Sequence, residues 1–152
     1  MKLDEFINKY VNTKVDFDGV FGAQCVDLFR QYCKDVLNIP HTGSCATSGG
    51  AIDLFLDYEK MSLEKKYFKK LSANKAYNDI IFKYGDVAIW NKTSGNKYGH
   101  VAIVIGKTDS KNILVFEQNG ITQNGAKLSV RNISNMLGVL RFNGGSKWMQ
   151  MQ

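Results

Sequence analysis

The sequence predicts an α+β fold in which helices come first and an antiparallel sheet follows. Apolar residues recur at helical spacing in the first third of the chain, whereas short β-rich runs separated by turn signals fill the part after Gly85. Helices and strands that are segregated along the chain in this way are typical of α+β domains. With 152 residues, the chain is long enough to form one domain with a real core.

Apolar stripes predict two amphipathic helices near the start of the chain. The first ends near Asn12 and Thr13, and the second begins near Cys25 and is closed by Pro40. The residues on the two stripes are Leu3, Phe6, Ile7, Tyr10 and Val11 in the first, and Val26, Phe29, Tyr32, Cys33, Val36 and Leu37 in the second. Because Cys33 lies on an apolar stripe, we interpret it as a core residue.

The region after Pro40 is less regular. Residues 51–58 are expected to form a short third helix with Ile52, Phe55 and Leu56 facing inward. Residues 59–83 are rich in lysine and carry no pattern that assigns them to an element.

Strands are expected where short apolar runs lie between turns. We take residues 1–143 as one domain and 144–152 as the start of a linker or a tail. The four predicted strands are 86–90, 100–105, 112–116 and 138–142.

Composition limits the function classes. The net charge of +6 favours an anionic partner, but no nucleic-acid motif accompanies it, so we expect no nucleic-acid binding. No apolar run approaches the roughly 20 residues of a membrane span. The N-terminus lacks the apolar core of a signal peptide, so synthesis in a cytoplasm is expected. Three cysteines form no disulfide framework.

Cys25 is the first candidate for chemistry. It lies at the predicted first turn of the second helix, directly after a loop that contains acids and glycines. The positive end of a helix dipole favours a negative charge at such a position. A cysteine there is a candidate nucleophile, although a small buried hydrophobic residue is the alternative.

A nucleophilic cysteine needs a base and a group that orients the base. His100 opens a predicted strand directly after Gly99, whereas His41 lies in a polar loop and is interpreted as a surface residue. If the strand of His100 pairs with the strand that ends before Glu117, these two residues lie at one end of the sheet, and alternation puts Asn119 on the face of Glu117. These polar groups could equally be ordinary residues at strand ends.

Four short motifs, in this order, resemble the CHAP family, the cysteine- and histidine-dependent amidohydrolases/peptidases of phage endolysins and bacterial wall hydrolases. The resemblance extends from about Leu3 to Phe142 and implies a papain-like α+β fold. The motifs are Gln24-Cys25-x-Asp27-Leu28, Gly85-Asp86-Val87-x-Ile89-Trp90, Gly99-His100-Val101-Ala102 and Glu117-Gln118-Asn119.

The resemblance also implies roles. Cys25 would be the nucleophile, His100 the general base and acid, and Glu117 the residue that orients His100. Asn119 would be a second orienting residue or a contact to the oxyanion. The backbone N–H of Cys25 would stabilise the oxyanion, with the side chain of Gln24 or Asn119 as second donor.

The loop before Cys25 holds three carboxylates within a dozen residues. Asp16, Asp18 and Asp27 offer oxygen ligands suited to Ca²⁺, but the loop lacks the glycine and glutamate of an EF-hand. Some phage members of the family bind calcium at matching acids and at a carbonyl near Val20, so the resemblance implies a structural Ca²⁺. A ligand that these members carry falls at Gly22 here. An acidic turn that caps the helix is the alternative.

The leading hypothesis is a peptidoglycan hydrolase, the catalytic domain of a bacteriolytic phage endolysin. It would act on the bacterial cell wall as an endopeptidase or an N-acetylmuramoyl-L-alanine amidase, as a monomer, with a wall-binding domain elsewhere in the full-length protein. The alternatives are a non-catalytic, calcium-stabilised wall-binding module and a cysteine acyltransferase.

Overall fold

The structure, a computed structural model, describes residues 1–19, 24–42, 50–73, 80–118 and 125–144. No helix among these residues is long and apolar enough to span a membrane. The helices are α1 (Leu3–Tyr10), α2 (Cys25–Asp35), α3 (Asp53–Leu56) and α4 (Ser62–Tyr67), with a 3₁₀ turn at Tyr58–Lys60 between α3 and α4. The strands are β1 (Phe68–Ser72), β2 (Val87–Trp90), β3 (His100–Lys107), β4 (Asn112–Glu117), β5 (Lys127–Asn132) and β6 (Met136–Phe142).

The six strands form one antiparallel sheet in the order β1-β6-β2-β3-β4-β5. Helices precede most of the sheet along the chain, so the predicted α+β class is confirmed. Consecutive strands β2 to β5 are neighbours, as expected for short connections. Because β3 and β4 are antiparallel neighbours, the start of β3 and the end of β4 lie side by side at the same end of the sheet.

The first two helices end earlier than predicted because the backbone turns aside. After α1, Asn12 takes a left-handed conformation (φ 64°) and donates its N–H to the Ala126 carbonyl at 2.7 Å. After α2, Asn38 is also left-handed (φ 54°), which stops the helical path before Pro40.

The inward face of α3 differs from the prediction. Leu54 and Phe55 are buried, whereas Leu56 is 58% exposed, so its predicted inward orientation is wrong. Successive helical residues are about 100° apart, so Leu56 lies about 150° from the middle of the buried face that Leu54 and Phe55 form.

Two strands were not predicted, and both lie at the edges of the sheet. β1 falls in the segment 59–83, which the sequence left unassigned, and β5 follows the end of β4. An edge strand buries little of either face, so the alternation that reveals a central strand is weak. In β1 only Phe68 is fully buried, at its pairing with Phe142 of β6.

The core covers both faces of the sheet. One face packs against the helices, and α2 lies against β3, which brings the start of α2 to the start of β3. Fully burying one large apolar side chain contributes about 1.5–3 kcal/mol. The buried residues on the helix face include Phe6, Phe29, Ile89, Val101, Ile103 and Phe116, and those on the opposite face include Ala88, Ala102, Val104, Ile113 and Val115.

Candidate active site

Cys25 is the first residue of α2 and is half-buried. The preceding residue, Gln24, is extended, and its N–H donates to Asp27 Oδ2 at 2.9 Å. In return, the Asp27 N–H donates to the Gln24 carbonyl at 3.1 Å. These two hydrogen bonds fix the first turn of α2, so the helix presents Cys25 in one orientation.

His100 is the first residue of β3 and pairs with Trp90 of β2. The chain enters β3 through Gly99, which has a positive φ of 69°. A Cβ atom at Gly99 would collide with the Trp90 carbonyl oxygen, so a residue with a side chain does not fit there. The glycine therefore allows His100 to start the strand close against Trp90.

A line of hydrogen bonds joins Cys25, His100 and Glu117. The Nε2 atom of His100 lies 2.9 Å from Oε1 of Glu117, and the imidazole also hydrogen-bonds the Cys25 thiol. An ionised carboxylate only accepts hydrogen bonds, so Nε2 is the protonated nitrogen and Nδ1 is left for the thiol. Burial lowers the pKa of His100, but the hydrogen bonds with Cys25 and Glu117 outweigh it and raise the pKa above its ordinary value.

Glu117 ends β4 and is 4% exposed. Burial raises the pKa of this carboxyl, but hydrogen bonds from His100 and Arg131 lower it by more than burial raises it, and the resulting pKa is about 2. The Arg131 Nε atom donates to Oε1 of Glu117, the same oxygen that faces His100. Glu117 is therefore ionised throughout the neutral range.

Arg131 belongs to β5 and had no role in the sequence analysis. Because strand β5 was not predicted, there was no reason from the sequence to expect Arg131 near Glu117. A signal existed in the alternation of Lys127, Ser129 and Arg131, which puts these three polar residues on one face of an unassigned segment.

Gln118 is a second residue that sequence reasoning did not assign. Its side chain is 1% exposed and forms hydrogen bonds with the Val15 N–H and carbonyl, both at 2.7 Å. Its Nε2 atom also donates to the Gln24 carbonyl at 2.9 Å. Gln118 thus ties the end of β4 to Val15, before the acidic loop, and to the residue that precedes Cys25.

Asp16, Asp18 and Asp27 converge, with carboxylate oxygens that all lie within 4.8 Å of one another. Asp27 is buried, whereas Asp16 and Asp18 are exposed, and Arg30 lies 3.1 Å from Asp18. Burial raises the pKa of Asp27 to about 6; the Gln24 N–H lowers it, and the charges of Asp18 and Asp16 raise it. Val20, the predicted carbonyl ligand, lies outside the described residues.

The remaining candidates have different outcomes. Gln24 is exposed beside Cys25, while Asn119 lies outside the described residues. Cys33 is fully buried, as predicted for a core residue. An open cleft of about 640 Å³ lies beside His100 and Glu117, with Trp90 and Arg131 among its lining residues.

Comparisons with known proteins agree with this geometry. The sequence profile of the CHAP domain matches residues 14–119. Endolysin PlyTW of Staphylococcus phage Twort is 32% identical over 119 residues, which are 76% of this chain and 23% of that protein. The D-alanyl-L-alanine endopeptidase of Streptococcus phage B30 is 33% identical over 102 residues, 62% of this chain and 22% of that protein. The chain thus spans less than a quarter of either relative.

Solved structures show the same fold. The crystal structure of the wild-type endolysin LysIME-EF1 has a TM-score of 0.67 and 26% identity, covering 93% of this chain and 64% of that one. The structure of Ly7917 has a TM-score of 0.63 at 17% identity, with coverage of 95% and 64%. The second likeness concerns the fold alone.

Proposed function

Because the chain belongs to the CHAP domain family, we propose that it is the catalytic domain of a bacteriolytic endolysin, a peptidoglycan hydrolase that uses a cysteine nucleophile. The observation that carries this proposal is the hydrogen-bonded line from the Cys25 thiol through His100 to Glu117. The two phage relatives support a cell-wall substrate.

In the proposed reaction, the Cys25 thiol gives its proton to Nδ1 of His100, and the sulfur attacks an amide carbonyl of the wall peptide. His100 then donates that proton to the leaving amine, which breaks the C–N bond and leaves a thioester on Cys25. A water molecule, deprotonated by His100, hydrolyses the thioester and restores the thiol. Glu117 contacts no reacting atom; it is a positioning residue that holds the imidazole.

The tetrahedral oxyanion is proposed to form beside the N-terminus of α2. The first N–H groups of a helix have no partner within the helix, so the Cys25 N–H is available as a donor. Gln24 and Asn119 stay the candidates for the second donor. Loss of one such donor is expected to lower kcat on the order of a hundredfold.

The scissile bond is proposed to be an amide or peptide bond of the wall peptide, cut by an endopeptidase or an N-acetylmuramoyl-L-alanine amidase activity. Mass spectrometry of digested peptidoglycan distinguishes these activities. New alanine or glycine termini indicate an endopeptidase, whereas free lactyl groups indicate the amidase.

Replacement of the nucleophile separates an enzyme from the alternatives. Cys25→Ser is expected to abolish peptidoglycan cleavage while wall binding persists. Cys33→Ala serves as a thiol control, because Cys33 lies on the same helix about 12 Å further along the axis than Cys25. Cleavage by Cys25→Ser at the wild-type rate would overturn the proposal. An acyltransferase would instead yield new amides when an amine acceptor is added.

We also propose that Asp16, Asp18 and Asp27, with a carbonyl near Val20, hold a structural Ca²⁺. The three carboxylates fit a hard cation, because their oxygens converge and their negative charges are offset only in part by Arg30, which pairs with Asp18. The ion would neutralise these charges and hold the acidic loop to the start of α2, and it would not polarise the substrate.

The calcium proposal predicts a pH-dependent stability. The folded pKa of Asp27, about 6, is above its ordinary value of 3.8, so metal-free protein loses stability as the pH rises from about 4 to about 6. The loss is on the order of 1–2 kcal/mol after allowance for solvent screening at the exposed neighbours. Calcium should restore this stability at neutral pH.

Thermal unfolding at pH 5 and pH 7.5, with chelator or with Ca²⁺, measures this effect. Calcium is expected to raise the Tm at pH 7.5 and to increase lysis, and Asp27→Asn should remove both responses. Identical Tm and lysis with chelator and with Ca²⁺ would contradict the site.

A further inference from the structure

Arg131 forms an ion pair with Glu117 from outside the line of Cys25 and His100. Its Nε atom donates to Oε1 of Glu117, and Nε2 of His100 lies 2.9 Å from that same oxygen. Arg131 lies on β5, across from Ile113 of β4, and reaches along the sheet to the end of β4. Its side chain is only one-third exposed.

Arg131 also contacts the aromatic neighbour of His100. The guanidinium carbon lies 5.7 Å from the centre of the Trp90 ring, and the centres of the Trp90 and His100 rings are 5.9 Å apart. The Trp90 indole N–H donates to the Asn132 carbonyl at 3.0 Å, which anchors Trp90 to β5. His100, Glu117, Arg131 and Trp90 therefore form a closed ring of contacts, which we call the support ring.

We propose that Arg131 is a positioning residue of the active site, which holds the Glu117 carboxylate toward His100 throughout the catalytic cycle. This proposal rests on the proposed cysteine hydrolase activity and adds a residue to its machinery.

The physical reason is that His100 changes charge during each turnover. A buried carboxylate is stable only while a cationic or hydrogen-bonding partner offsets the loss of water. His100 provides a positive charge while it is an imidazolium and loses that charge when it gives the proton to the leaving amine. Arginine stays charged at every relevant pH, so Arg131 keeps Glu117 ionised and in place when His100 is neutral.

Arg131 also moderates the effect of Glu117 on His100. The charges that face the imidazole are those of Glu117 from β4 and Arg131 from β5, and the Cys25 thiol faces it from α2. The hydrogen bond to Glu117 raises the pKa of His100, and the positive charge of Arg131 lowers it. An imidazolium paired with Glu117 alone would release its proton to the leaving group less readily.

Lys127 provides a matched control on the same strand. It pairs directly with Glu117 across β4 and β5 and lies on the same face as Arg131, but within the described residues it forms no ion pair with Glu117. Lys127→Gln removes one positive charge from this face without removing a contact to the carboxylate.

The experiment compares Arg131→Gln, Arg131→Lys and Lys127→Gln in steady-state kinetics on a soluble peptidoglycan fragment. Arg131→Gln is expected to lower kcat roughly tenfold to a hundredfold, part of the 10²–10⁴ that general acid–base catalysis supplies, with KM changed less than about twofold. Arg131→Lys should recover part of the kcat, because it restores the charge but not the rigid guanidinium. Lys127→Gln should keep the wild-type kcat.

Nuclear magnetic resonance of the histidine rings gives a readout that needs no activity. The chain has two histidines, so the His41 signals serve as an internal reference for those of His100. Arg131→Gln is expected to shift the His100 ring nitrogens while His41 stays unchanged. If Arg131→Gln fails to fold, Arg131→Lys tests the loss of the guanidinium alone, and a smaller shift of the His100 signals is expected.

Two results would overturn the proposal. Wild-type kcat and unchanged His100 signals in Arg131→Gln would show that Glu117 needs no such support. A rise in KM alone would assign Arg131 to substrate binding. Cys25→Ser tests the hydrolase function separately. The His100 signals report on the support ring whether or not the protein cleaves peptidoglycan, so failure of the function and failure of the role of Arg131 give different results.

Discussion

A single residue, Glu117, links the charge of the site to its geometry. Its carboxylate is buried and lies between His100 and Arg131, and these partners lower its pKa to about 2 despite the opposing effect of burial. An acid in this state does not take a proton from His100 at neutral pH. Its contribution is to fix the imidazole and to stabilise the positive form of the ring.

Replacement of Glu117 is therefore expected to change both the rate and its pH dependence. In Glu117→Gln the pKa of His100 falls, because the amide oxygen accepts a hydrogen bond without the negative charge that stabilises the imidazolium. Because His100 must be unprotonated to accept the thiol proton, the acidic limb of the kcat/KM profile should move to lower pH, and kcat should fall by about a hundredfold. A pH–rate profile, with the His100 ring signals as a second measurement, tests this expectation. An acidic limb that stays in place would count against the role given to Glu117.

At the scale of elements, Gln118 joins three parts of the chain. The side chain lies directly after β4 and hydrogen-bonds to Val15, before the acidic loop, and to Gln24, before α2. Both ends of the loop that carries the acidic residues are thus held by one amide. The start of α2, and with it Cys25, is fixed relative to the strand that carries Glu117.

Removal of this amide should loosen the nucleophile and lower stability. Gln118→Ala leaves the Val15 N–H and two carbonyls without their partner, and unmade buried hydrogen bonds destabilise by about 1–3 kcal/mol each. The Gln24 carbonyl is only part-buried and can bind water instead, so the two buried Val15 groups set a total of about 2–6 kcal/mol and a Tm lower by about 5–20 °C. Urea or thermal unfolding measures this change.

Gln31→Ala is the control for Gln118→Ala. Within the described residues, the Gln31 amide donates to the Asp35 carboxylate, one turn along α2, at 3.0 Å, and a change within about 0.5 kcal/mol is expected. Equal stability losses in the two variants would contradict the bridging role of Gln118.

Whether a contact of the site could be predicted from the sequence depends on the element that carries each residue. The contact between His100 and Glu117 was expected from the sequence and is confirmed, because two central strands with clear alternation define which strand ends meet. Arg131 and Gln118 escaped prediction for different reasons. Arg131 lies on an edge strand with weak alternation, and Gln118 acts across more than ninety residues of sequence.

At the scale of the whole molecule, Asp86 holds the sheet together at a distance from His100. Its carboxylate is 2% exposed and accepts hydrogen bonds from Arg141 at 2.9 and 2.8 Å. Asp86 precedes β2, whereas His100 pairs with Trp90 at the other end of that strand. This residue of the second family motif is thus structural in its contacts, which connect β2 to β6.

Asp86→Ala is expected to lower the free energy of unfolding without changing kcat. The loss is expected to be about 2–3 kcal/mol, below that of a fully buried ion pair, because Arg141 reaches solvent. At temperatures well below the transition, kcat should stay near that of the wild type. Denaturant unfolding and kinetics on the same preparation test both expectations.

Glu59→Ala is the matched control for Asp86→Ala. It breaks an ion pair with Lys65 in which both side chains are more than half exposed, so little or no loss of stability is expected. A large fall in kcat for Asp86→Ala would instead connect Asp86 to the active site.

The sequence by itself determined the α+β class, the two long helices, the four central strands and the placement of Cys25 at a helix start. These features depend on local periodicity and on helix termini, which a sequence carries directly. The tertiary structure alone decided that Arg131 reaches Glu117, that Gln118 bridges β4 and the acidic loop, and that Leu56 faces solvent. Those contacts depend on strand order and on chain segments that are distant in sequence, and periodicity contains no information about either.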